Sequence, residues 1–254
     1  TADAKSKEYG VSDPLFTRTI TSGSLVGSDT LSGSLTRESG EDVNTYAINQ
    51  GTLANSNYDI TYASANLSVT QRPITVTADA KSKEYGATDP TLTYAITTGS
   101  LVGSDTLSGA LSRTSGEDAG TYVIGQGSLA NSSYAITYVS ANLSVAQRAI
   151  TVTADAKSKE YGATDPTFTY AISSGSLVGA DSLSGSLGRA SGANVGTYAL
   201  NVGTLANANY DITFVPANLT ITQRPITVTA ANKTKVFGST DPSLTYSITS
   251  GSLV

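Results

Sequence analysis

The chain contains no cysteine, histidine, methionine or tryptophan. Without cysteine it can form neither a disulfide bond nor a thiol redox centre. Without histidine and cysteine it lacks the usual ligands of zinc and copper. Histidine is also the side chain that most often acts as a general base. These absences weigh against an enzyme.

Charge is scarce as well. Charged residues make up 14% of the chain, against roughly 25% in an ordinary soluble protein. The net charge of −5, with scattered Lys and Arg, argues against nucleic-acid binding, which needs a basic face. No signal peptide or transmembrane segment is visible in these residues. Because methionine is absent, we expect an internal fragment, and the Ser/Thr-rich composition suits a secreted protein.

The sequence repeats itself. The ten residues TADAKSKEYG stand at 1–10, 77–86 and 153–162, and a degraded copy, TAANKTKVFG, stands at 229–238. The spacing of 76 residues is longer than the units of solenoids, about 20–50 residues, and long enough for a small domain with its own core. The predicted domains are three full repeats and a partial fourth: 1–72, 73–148, 149–224 and 225–254.

The second repeat predicts about five strands, and no window shows a sustained helical period. Ile74, Val76, Ala78 and Ala80 share one face of a first strand. Residues 81–84 extend this strand with charges that suit an exposed edge. Further strands are predicted at 92–96, 107–113, 121–124 and 134–147.

The last of these segments changes phase. Tyr134, Ile136 and Tyr138 point one way, whereas Leu143 and Val145 fall on the opposite parity. A change of phase within an extended segment is typical of a β-bulge or a bend. The third repeat has a proline at this point, which the interior of a strand ladder would not tolerate.

Consecutive repeats are joined without a Gly/Ser linker. The last strand of one repeat leads directly into the first strand of the next, through Arg-Pro at Pro73 and Pro225 and Arg-Ala at Ala149. Proline stiffens two of these junctions. We therefore expect a mostly β protein, a tandem array of domains of about 76 residues stacked end to end as a rod.

Four motifs carry a resemblance to a known family: the ITVTAD start, the K-x-Y-G-x-x-D-P turn, the GTY strand and the NY-x-IT-x-x-x-ANL ending. Repeat by repeat, the whole chain resembles the MBG ("mostly beta-grasp") repeats of large bacterial surface and secreted proteins. The resemblance implies small β-grasp-like domains, extracellular display and tandem use in adhesin-like proteins. The fourth copy departs from the pattern at Asn232, Thr234, Val236 and Phe237.

The tyrosines of the second repeat are the first candidate site: Tyr85, Tyr94, Tyr122, Tyr134 and Tyr138. They could form a platform on which sugars stack. Four of them occupy alternating strand positions beside Ile or Leu, where tyrosine fills a core and keeps its hydroxyl in water. We therefore interpret them as core or half-core residues.

Acidic residues form the second candidate. Glu117 and Asp118, with Asp105, could hold Ca²⁺, which needs six to eight oxygen ligands. The third repeat has Ala193 and Asn194 in place of the acidic pair, so a repeated calcium site would be lost there. A solvated loop is the preferred interpretation.

Two covalent modifications complete the candidates. Lys81 or Lys83 could form an isopeptide bond with Asn131 or Asn142, but this chemistry needs a lysine, an asparagine and an acid buried together, and burial lowers the pKa of the lysine. Both lysines are interpreted as part of a solvated face or edge. Asn131, Asn142 and Asn232 also match the N-glycosylation acceptor, a triplet that arises by chance in a chain of this composition. We predict no catalytic residue, no cofactor and no metal.

The expected function is that of a non-catalytic structural stalk or filament of a bacterial cell-surface or secreted adhesin, which spaces a distal binding region from the cell. One alternative is a weak glycan- or host-surface-binding module that acts by avidity, and another is a self-assembling extracellular fibre. The expected partners are neighbouring repeats and, through strand edges, other copies of the chain. Nucleic acid and membrane are not expected.

The two ends predict a further contact. The chain begins without the Ile-Thr-Val that opens the later repeats, and residues 225–254 supply that strand without its remaining partners. Open strand edges pair readily with other chains. We expect residues 225–254 either to be poorly packed or to pair with the first repeat of a neighbouring molecule.

Overall fold

Every regular element of the structure, a computed structural model that describes residues 1–254, is a β-strand. The first repeat holds β1 (Lys5–Glu8), β2 (Thr36–Arg37), β3 (Thr45–Asn49) and β4 (Ala65–Thr70). The second holds β5 (Arg72–Ala78), β6 (Lys81–Glu84), β7 (Tyr94–Thr98), β8 (Ser112–Arg113), β9 (Gly120–Gly125), β10 (Tyr134–Val139) and β11 (Ala141–Ala146).

The third repeat has the same elements as the second: β12 (Arg148–Ala154), β13 (Lys157–Glu160), β14 (Tyr170–Ser174), β15 (Gly188–Arg189), β16 (Gly196–Asn201), β17 (Tyr210–Val215) and β18 (Asn218–Thr222). The remaining residues form β19 (Thr227–Ala230) and β20 (Tyr246–Ser250). The prediction of a mostly β tandem array is therefore confirmed. The structure contains no helix with the length and apolar character to cross a bilayer.

The second and third repeats are each built from two small sheets. In the third repeat the first sheet has the order β14-β12-β17 and the second the order β13-β18-β16-β15. Strand β12 lies at the centre of the first sheet, antiparallel to β14 and parallel to β17. Strand β18 pairs in parallel with β13 and antiparallel with β16. The first strand and the last strand of the repeat thus organise one sheet each.

The cores come from the predicted alternation. In β12, Ile150, Val152 and Ala154 are buried, while Thr151 and Thr153 between them are half-buried. β-Branched side chains fit this pleated surface. The core of the third repeat consists of Ile150, Val152, Ala154, Leu187, Leu200, Leu205, Tyr210, Leu219 and Ile221.

The prediction of one long first strand was wrong. Strand β5 ends at Ala78, and Ala80, expected to point inward, is exposed. Residues 81–84 form β6, a separate strand of the other sheet, which lies at that sheet's edge as their charges indicated. The predicted strand at 107–113 shrinks to β8, residues 112–113. The second repeat therefore has seven strands rather than about five.

The phase change in the last segment is a bend between sheets. Residues 134–146 form two strands, β10 and β11, that belong to different sheets and are separated by Ser140 alone. In the third repeat, Pro216 and Ala217 lie between β17 and β18. The proline stands outside the ladders, where its missing N–H costs nothing.

The chain divides into two compact units that do not follow the repeats. Unit 1 comprises 1–83, 88–116 and 120–144, and unit 2 comprises 84–87, 117–119 and 145–254. Residues 84–87 and 117–119 belong to the second repeat by sequence, yet they are part of the unit that contains the third. This assignment indicates that short segments of one repeat pack on the next.

Residues 225–254 have almost no core. Strands β19 and β20 form a two-stranded antiparallel sheet whose side chains are mostly exposed. Tyr246 is 71% exposed and Phe237 fully so. This is the first of the two outcomes expected for the segment. Pairing with a neighbouring molecule stays a prediction.

Candidate functional site: the joint between repeats

A Tyr-Gly pair follows the short strand near the start of each complete repeat. In unit 1 the pair is Tyr9-Gly10, directly after β1. The Tyr9 N–H donates to the carbonyl of Thr70, the last residue of β4. This bond fixes the pair beside the point where the chain leaves the first repeat.

Tyr9 is inserted into the second repeat. Its hydroxyl donates to Asp105 Oδ2 at 3.0 Å, and the Tyr134 hydroxyl donates to the same oxygen at 2.6 Å. The Val102 N–H in turn donates to the Tyr134 oxygen at 2.7 Å. The Tyr9 and Tyr134 rings meet edge to face, with centroids 5.7 Å apart, an arrangement that aromatic pairs favour.

Gly10 allows this close approach. Its φ of +77° lies in the left-handed region, which glycine adopts at little cost. A Cβ atom at this position would also overlap Val102 Cγ2. The second repeat therefore contacts bare backbone here, and any side chain at position 10 would push Val102 away.

Unit 2 contains the same arrangement. The hydroxyls of Tyr85 and Tyr210 donate to Asp181 Oδ2 at 2.9 Å and 2.6 Å, and the Val178 N–H donates to the Tyr210 oxygen at 2.7 Å. The two rings again meet edge to face, at 5.5 Å. Gly86 has a φ of +80°, and a Cβ there would overlap Val178 Cγ2.

We call these two clusters joint 1 and joint 2. Joint 1 consists of Tyr9, Gly10, Val102, Asp105 and Tyr134, and joint 2 of Tyr85, Gly86, Val178, Asp181 and Tyr210. In each joint the Tyr-Gly pair comes from one repeat and the other three residues come from the next. The inserted tyrosine also extends the next repeat's core: Tyr9 packs against the cluster of Ile74, Val76, Leu129 and Tyr134.

The tyrosines of joint 1 are held as neutral donors. The hydrogen bond to Asp105 raises the pKa of Tyr9, and burial raises it further. For Tyr134, which is 3% exposed, burial is the larger cause and the bond to Asp105 adds to it. A carboxylate that accepts two hydroxyl protons loses both bonds if the tyrosines ionise.

Backbone and amide contacts surround both joints. In unit 1, Gln71 Nε2 donates to the Ser132 carbonyl at 3.0 Å, and the Arg72 N–H donates to the Ser133 carbonyl at 3.0 Å. In unit 2, Gln147 Nε2 donates to the Ala208 carbonyl and the Arg148 N–H to the Asn209 carbonyl. These bonds attach the connecting residues to the repeat that they enter.

One side chain distinguishes the two joints. In unit 2, Asn209 Nδ2 donates to Asp118 Oδ1 at 2.9 Å, and Asn209 Oδ1 accepts from the Ala119 N–H at 2.8 Å. Residues 118 and 119 belong to the second repeat, so Asn209 spans the same two repeats as joint 2. At the corresponding position of unit 1 stands Ser133, whose single hydroxyl replaces both amide atoms.

An ion cluster with buried cations and partly exposed carboxylates lies close in sequence to each Tyr-Gly pair. In the first repeat, Lys7 Nζ is 2.6 Å from Asp13 and 2.5 Å from Glu41. Arg37 binds the same two carboxylates and lies 5.3 Å from the centre of the Tyr46 ring. Hydrogen bonds from Arg37 and Lys7 lower the pKa of Asp13 against the effect of burial.

The second repeat has the same cluster, and it corrects an expectation. Lys83 is not part of a solvated face: its side chain is 3% exposed, and its Nζ is 2.6 Å from Asp89. Arg113 also binds Asp89, and the two cations lower the pKa of that carboxyl to about 2. A lysine paired with a carboxylate keeps its charge, whereas an isopeptide bond requires a neutral amine.

The other candidate residues, proposed for calcium binding, isopeptide bonds or glycosylation, have different roles in the structure. Asn131 forms a turn, since its side chain donates to the Thr106 carbonyl and accepts from the Ser133 N–H. Asp105 accepts from two tyrosines in joint 1, and Asp118 accepts from Asn209. No group of three acidic or histidine side chains is arranged to hold a metal ion. Asn142 and Asn232 are exposed, and their glycosylation stays a prediction.

The tyrosines lie where the core interpretation placed them. Tyr134 is buried, and Tyr85, Tyr94, Tyr122 and Tyr138 are half-buried. Sequence reasoning missed both joints, joint 1 with Tyr134 and joint 2 with Tyr85. The available signal was the connection Gly-Ser-Leu-Val-Gly-x-Asp, which the repeats share: a valine and an aspartate retained together in a loop indicate a contact.

These features define a class of protein: a tandem array of small all-β domains in which the Tyr-Gly pairs of the first and second repeats are each seated in the following domain. The chain belongs to the MBG domain (YGX type) family, which matches residues 1–68, 74–144 and 150–220. Tyr9, Tyr85 and Tyr161, each followed by Gly, supply the Tyr-Gly-X tripeptide in the three matched segments. No curated protein matches the chain.

Proposed function

We propose that this chain is a non-catalytic structural part of a bacterial cell-surface or secreted adhesin-like protein, in which the MBG repeats space a distal binding region from the cell. The observation that carries this proposal is the Tyr-Gly joint. A spacer must resist bending between domains, and each joint adds a buried side-chain contact to the covalent connection.

The mechanism follows from the geometry of the joint. A flexible linker would let two domains rotate freely. Here the connecting Gln and Arg residues are hydrogen-bonded to the repeat they enter, and the inserted tyrosine contacts that repeat's core. Two separate attachments, the hydrogen-bonded connection and the inserted tyrosine, oppose rotation. The repeats act together as a spacer because each one is anchored twice to its neighbour.

The position of the tyrosines supports a spacer over a repeated sugar-binding platform. A platform would present an exposed tyrosine at the same place in every repeat. Tyr134 and Tyr210 are instead buried at joints, and Tyr62 and Tyr138 donate to carbonyls of their own repeats. Residues committed to internal hydrogen bonds and core packing are poor ligands for a surface glycan.

Small-angle scattering of the whole chain tests the proposal. We expect the profile of an elongated particle, and we expect its largest dimension to shorten when Gly-Ser pairs are inserted after Gln71 and Gln147. Insertion of the same pair after Ser28, within an exposed loop, is the control and should leave the profile unchanged. A compact native particle, or one that the junction insertions do not change, would contradict the spacer.

A further inference from the structure

The first and last segments of the third repeat run side by side in the same direction. Strand β12 pairs in parallel with β17 through six partner pairs, and β13 pairs in parallel with β18 through four. Partners have the same separation in sequence throughout, since Arg148 faces Tyr210 at one end and Glu160 faces Thr222 at the other. We call these two consecutive ladders the parallel ribbon.

A further main-chain hydrogen bond closes each end of the parallel ribbon. At one end the Arg148 N–H donates to the Asn209 carbonyl at 2.9 Å, and at the other the Tyr161 N–H donates to the Thr222 carbonyl at 2.9 Å. The Thr222 hydroxyl also donates to the Lys159 carbonyl at 3.2 Å. The ribbon is therefore held over its whole length.

The strands of the ribbon also carry much of the core. Ile150 and Val152 of β12 are 2% and 0% exposed, and Leu219 and Ile221 of β18 are 0% and 1% exposed. If the first segment slid along the last, these side chains would leave their places in the core while the ladder bonds broke. A close-packed interior does not accommodate such a shift gradually, so the core and the ladders resist sliding together.

The chain enters and leaves the repeat at opposite ends of the ribbon. It enters at Arg148, the first residue of β12, and leaves at Thr222, the last residue of β18. Tension along the chain therefore pulls the first segment lengthwise against the last. The hydrogen bonds of a parallel pair are evenly spaced along the strands, so they bear this load together. A pair pulled apart from one end would instead lose its bonds one at a time.

The second repeat contains the same ribbon. Strand β5 pairs in parallel with β10, with Arg72 opposite Tyr134, and β6 is hydrogen-bonded to β11. The Arg72 N–H donates to the Ser133 carbonyl at one end, and the Tyr85 N–H donates to the Ala146 carbonyl at the other. The arrangement thus belongs to the repeat and recurs along the array.

We propose that the parallel ribbon is a mechanical clamp, through which the second and third repeats bear tension along the chain without unfolding. The clamp rests on the proposed function and deepens it, because a spacer between a cell and a bound surface is stretched when the surface is pulled away. A spacer keeps its length under this load only if its domains stay folded.

Single-molecule pulling on the whole chain tests the proposal. The chain has no cysteine, so handles can be attached at introduced cysteines, all at exposed positions. Handles at Ala149→Cys and Gln223→Cys load the ribbon lengthwise. Handles at Ala149→Cys and Asp211→Cys, which are partners near one end, open it pair by pair. At the same loading rate we expect the lengthwise unfolding force to be larger by about twofold or more. Equal forces would overturn the proposal.

Two leucine variants separate the ribbon from the core. Leu219 in β18 and Leu200 in β16 are 0% and 1% exposed and belong to the same core, but β16 lies outside the ribbon. Leu219→Ala and Leu200→Ala should lower the stability to urea by similar amounts. Leu219→Ala should reduce the lengthwise unfolding force more. A reduction in Leu200→Ala that is as large or larger would show that the core alone sets the force, and would overturn the clamp.

The spacer and the clamp fail in different measurements. Scattering measures the shape of the unloaded chain, whereas pulling measures the resistance of one repeat in two directions. An elongated chain whose third repeat unfolds at the same force in both directions would keep the spacer and contradict the clamp. A compact chain with a direction-dependent force would contradict the spacer and support the clamp.

Discussion

Joints 1 and 2 are built from the same five residue types and differ at one neighbouring position, which is Ser133 beside joint 1 and Asn209 beside joint 2. In both, two tyrosines donate to one aspartate oxygen, and a glycine with positive φ meets a valine. Only joint 2 is accompanied by Asn209, which connects to Asp118 and Ala119. The comparison separates what holds two repeats together from what adjusts the strength of the connection. Because the two joints carry different residues at this position, each joint also supplies a natural substitution for testing the other.

The largest effect is expected at the glycines of the joints. Gly86→Ala should destabilise unit 2 by about 1–3 kcal/mol more than Gly179→Ala. Both positions have positive φ, but a Cβ at 86 overlaps Val178, whereas a Cβ at 179 meets open space. Gly10→Ala and Gly27→Ala form the matching pair in unit 1. The free energy of unfolding in urea measures both differences, and equal values within a pair would show that the close contact is unimportant.

Removal of the inserted hydroxyl is expected to cost less. Tyr9→Phe and Tyr85→Phe each delete one hydrogen bond to a carboxylate, which corresponds to about 1–2 kcal/mol. The ring stays in place, so the packing against Tyr134 or Tyr210 is retained.

Tyr138→Phe is the control for these variants, because the Tyr138 hydroxyl donates to Ile124 of its own repeat. It should reduce the stability of the repeat without changing the orientation of its neighbour. Residual dipolar couplings measured on both repeats separate the two effects. A reorientation in Tyr138→Phe as large as in Tyr9→Phe would contradict the role of the joint.

A smaller effect on stability, opposite in sign in the two units, is expected at positions 133 and 209. Asn209→Ser should weaken the connection in unit 2, and Ser133→Asn should strengthen the one in unit 1, each by about 0.5–1.5 kcal/mol. Each variant carries the residue found in the other joint, so both residues are compatible with the fold. Thermal unfolding of the two variants checks the prediction. Changes of the same sign in both would mean that the asparagine does not act through the aspartate of the preceding repeat, Asp118 in unit 2 and Asp42 in unit 1.

Alkaline pH should weaken both joints. The pKa values of Tyr9 and Tyr134 are raised in the folded chain, while an unfolded tyrosine ionises near pH 10. The folded state therefore keeps its protons longer than the unfolded state, and the stability it gains is lost as the pH rises above about 10. Unfolding measured from pH 8 to 11 should show a weaker dependence in Tyr9→Phe than in the native chain. An identical dependence would exclude these tyrosines as its source.

The strands could be predicted from the sequence, but the connections between them could not. Alternation located β5, β7 and β9, because apolar residues with a period of two settle on a buried face. It could not reveal that the chain changes sheets after Ala78, because the apolar alternation continues to Ala80, which is exposed and lies in neither sheet. The bend after Val139 was detectable because the parity of the apolar residues changes there.

The joint was hidden because its residues come from distant positions. Tyr9 and Asp105 are hydrogen-bonded across two repeats, and no local pattern records such a pairing. The burial of Lys83 was hidden for a related reason: its strand lies at a sheet edge, but its side chain is buried and its Nζ binds Asp89. In a chain of near-identical repeats, a polar loop residue that recurs in every repeat can contact the neighbouring repeat as well as its own.

The distance between two repeats of unit 1 tests the central claim most directly. Because the chain has no cysteine, Ser39→Cys and Ser115→Cys, both at exposed positions, place one spin label on the first repeat and one on the second. Double electron–electron resonance should give a single narrow distance distribution for the native joint and a broad one when Tyr9→Phe and Gly10→Ala are combined. A native distribution as broad as that of the double variant would contradict the account.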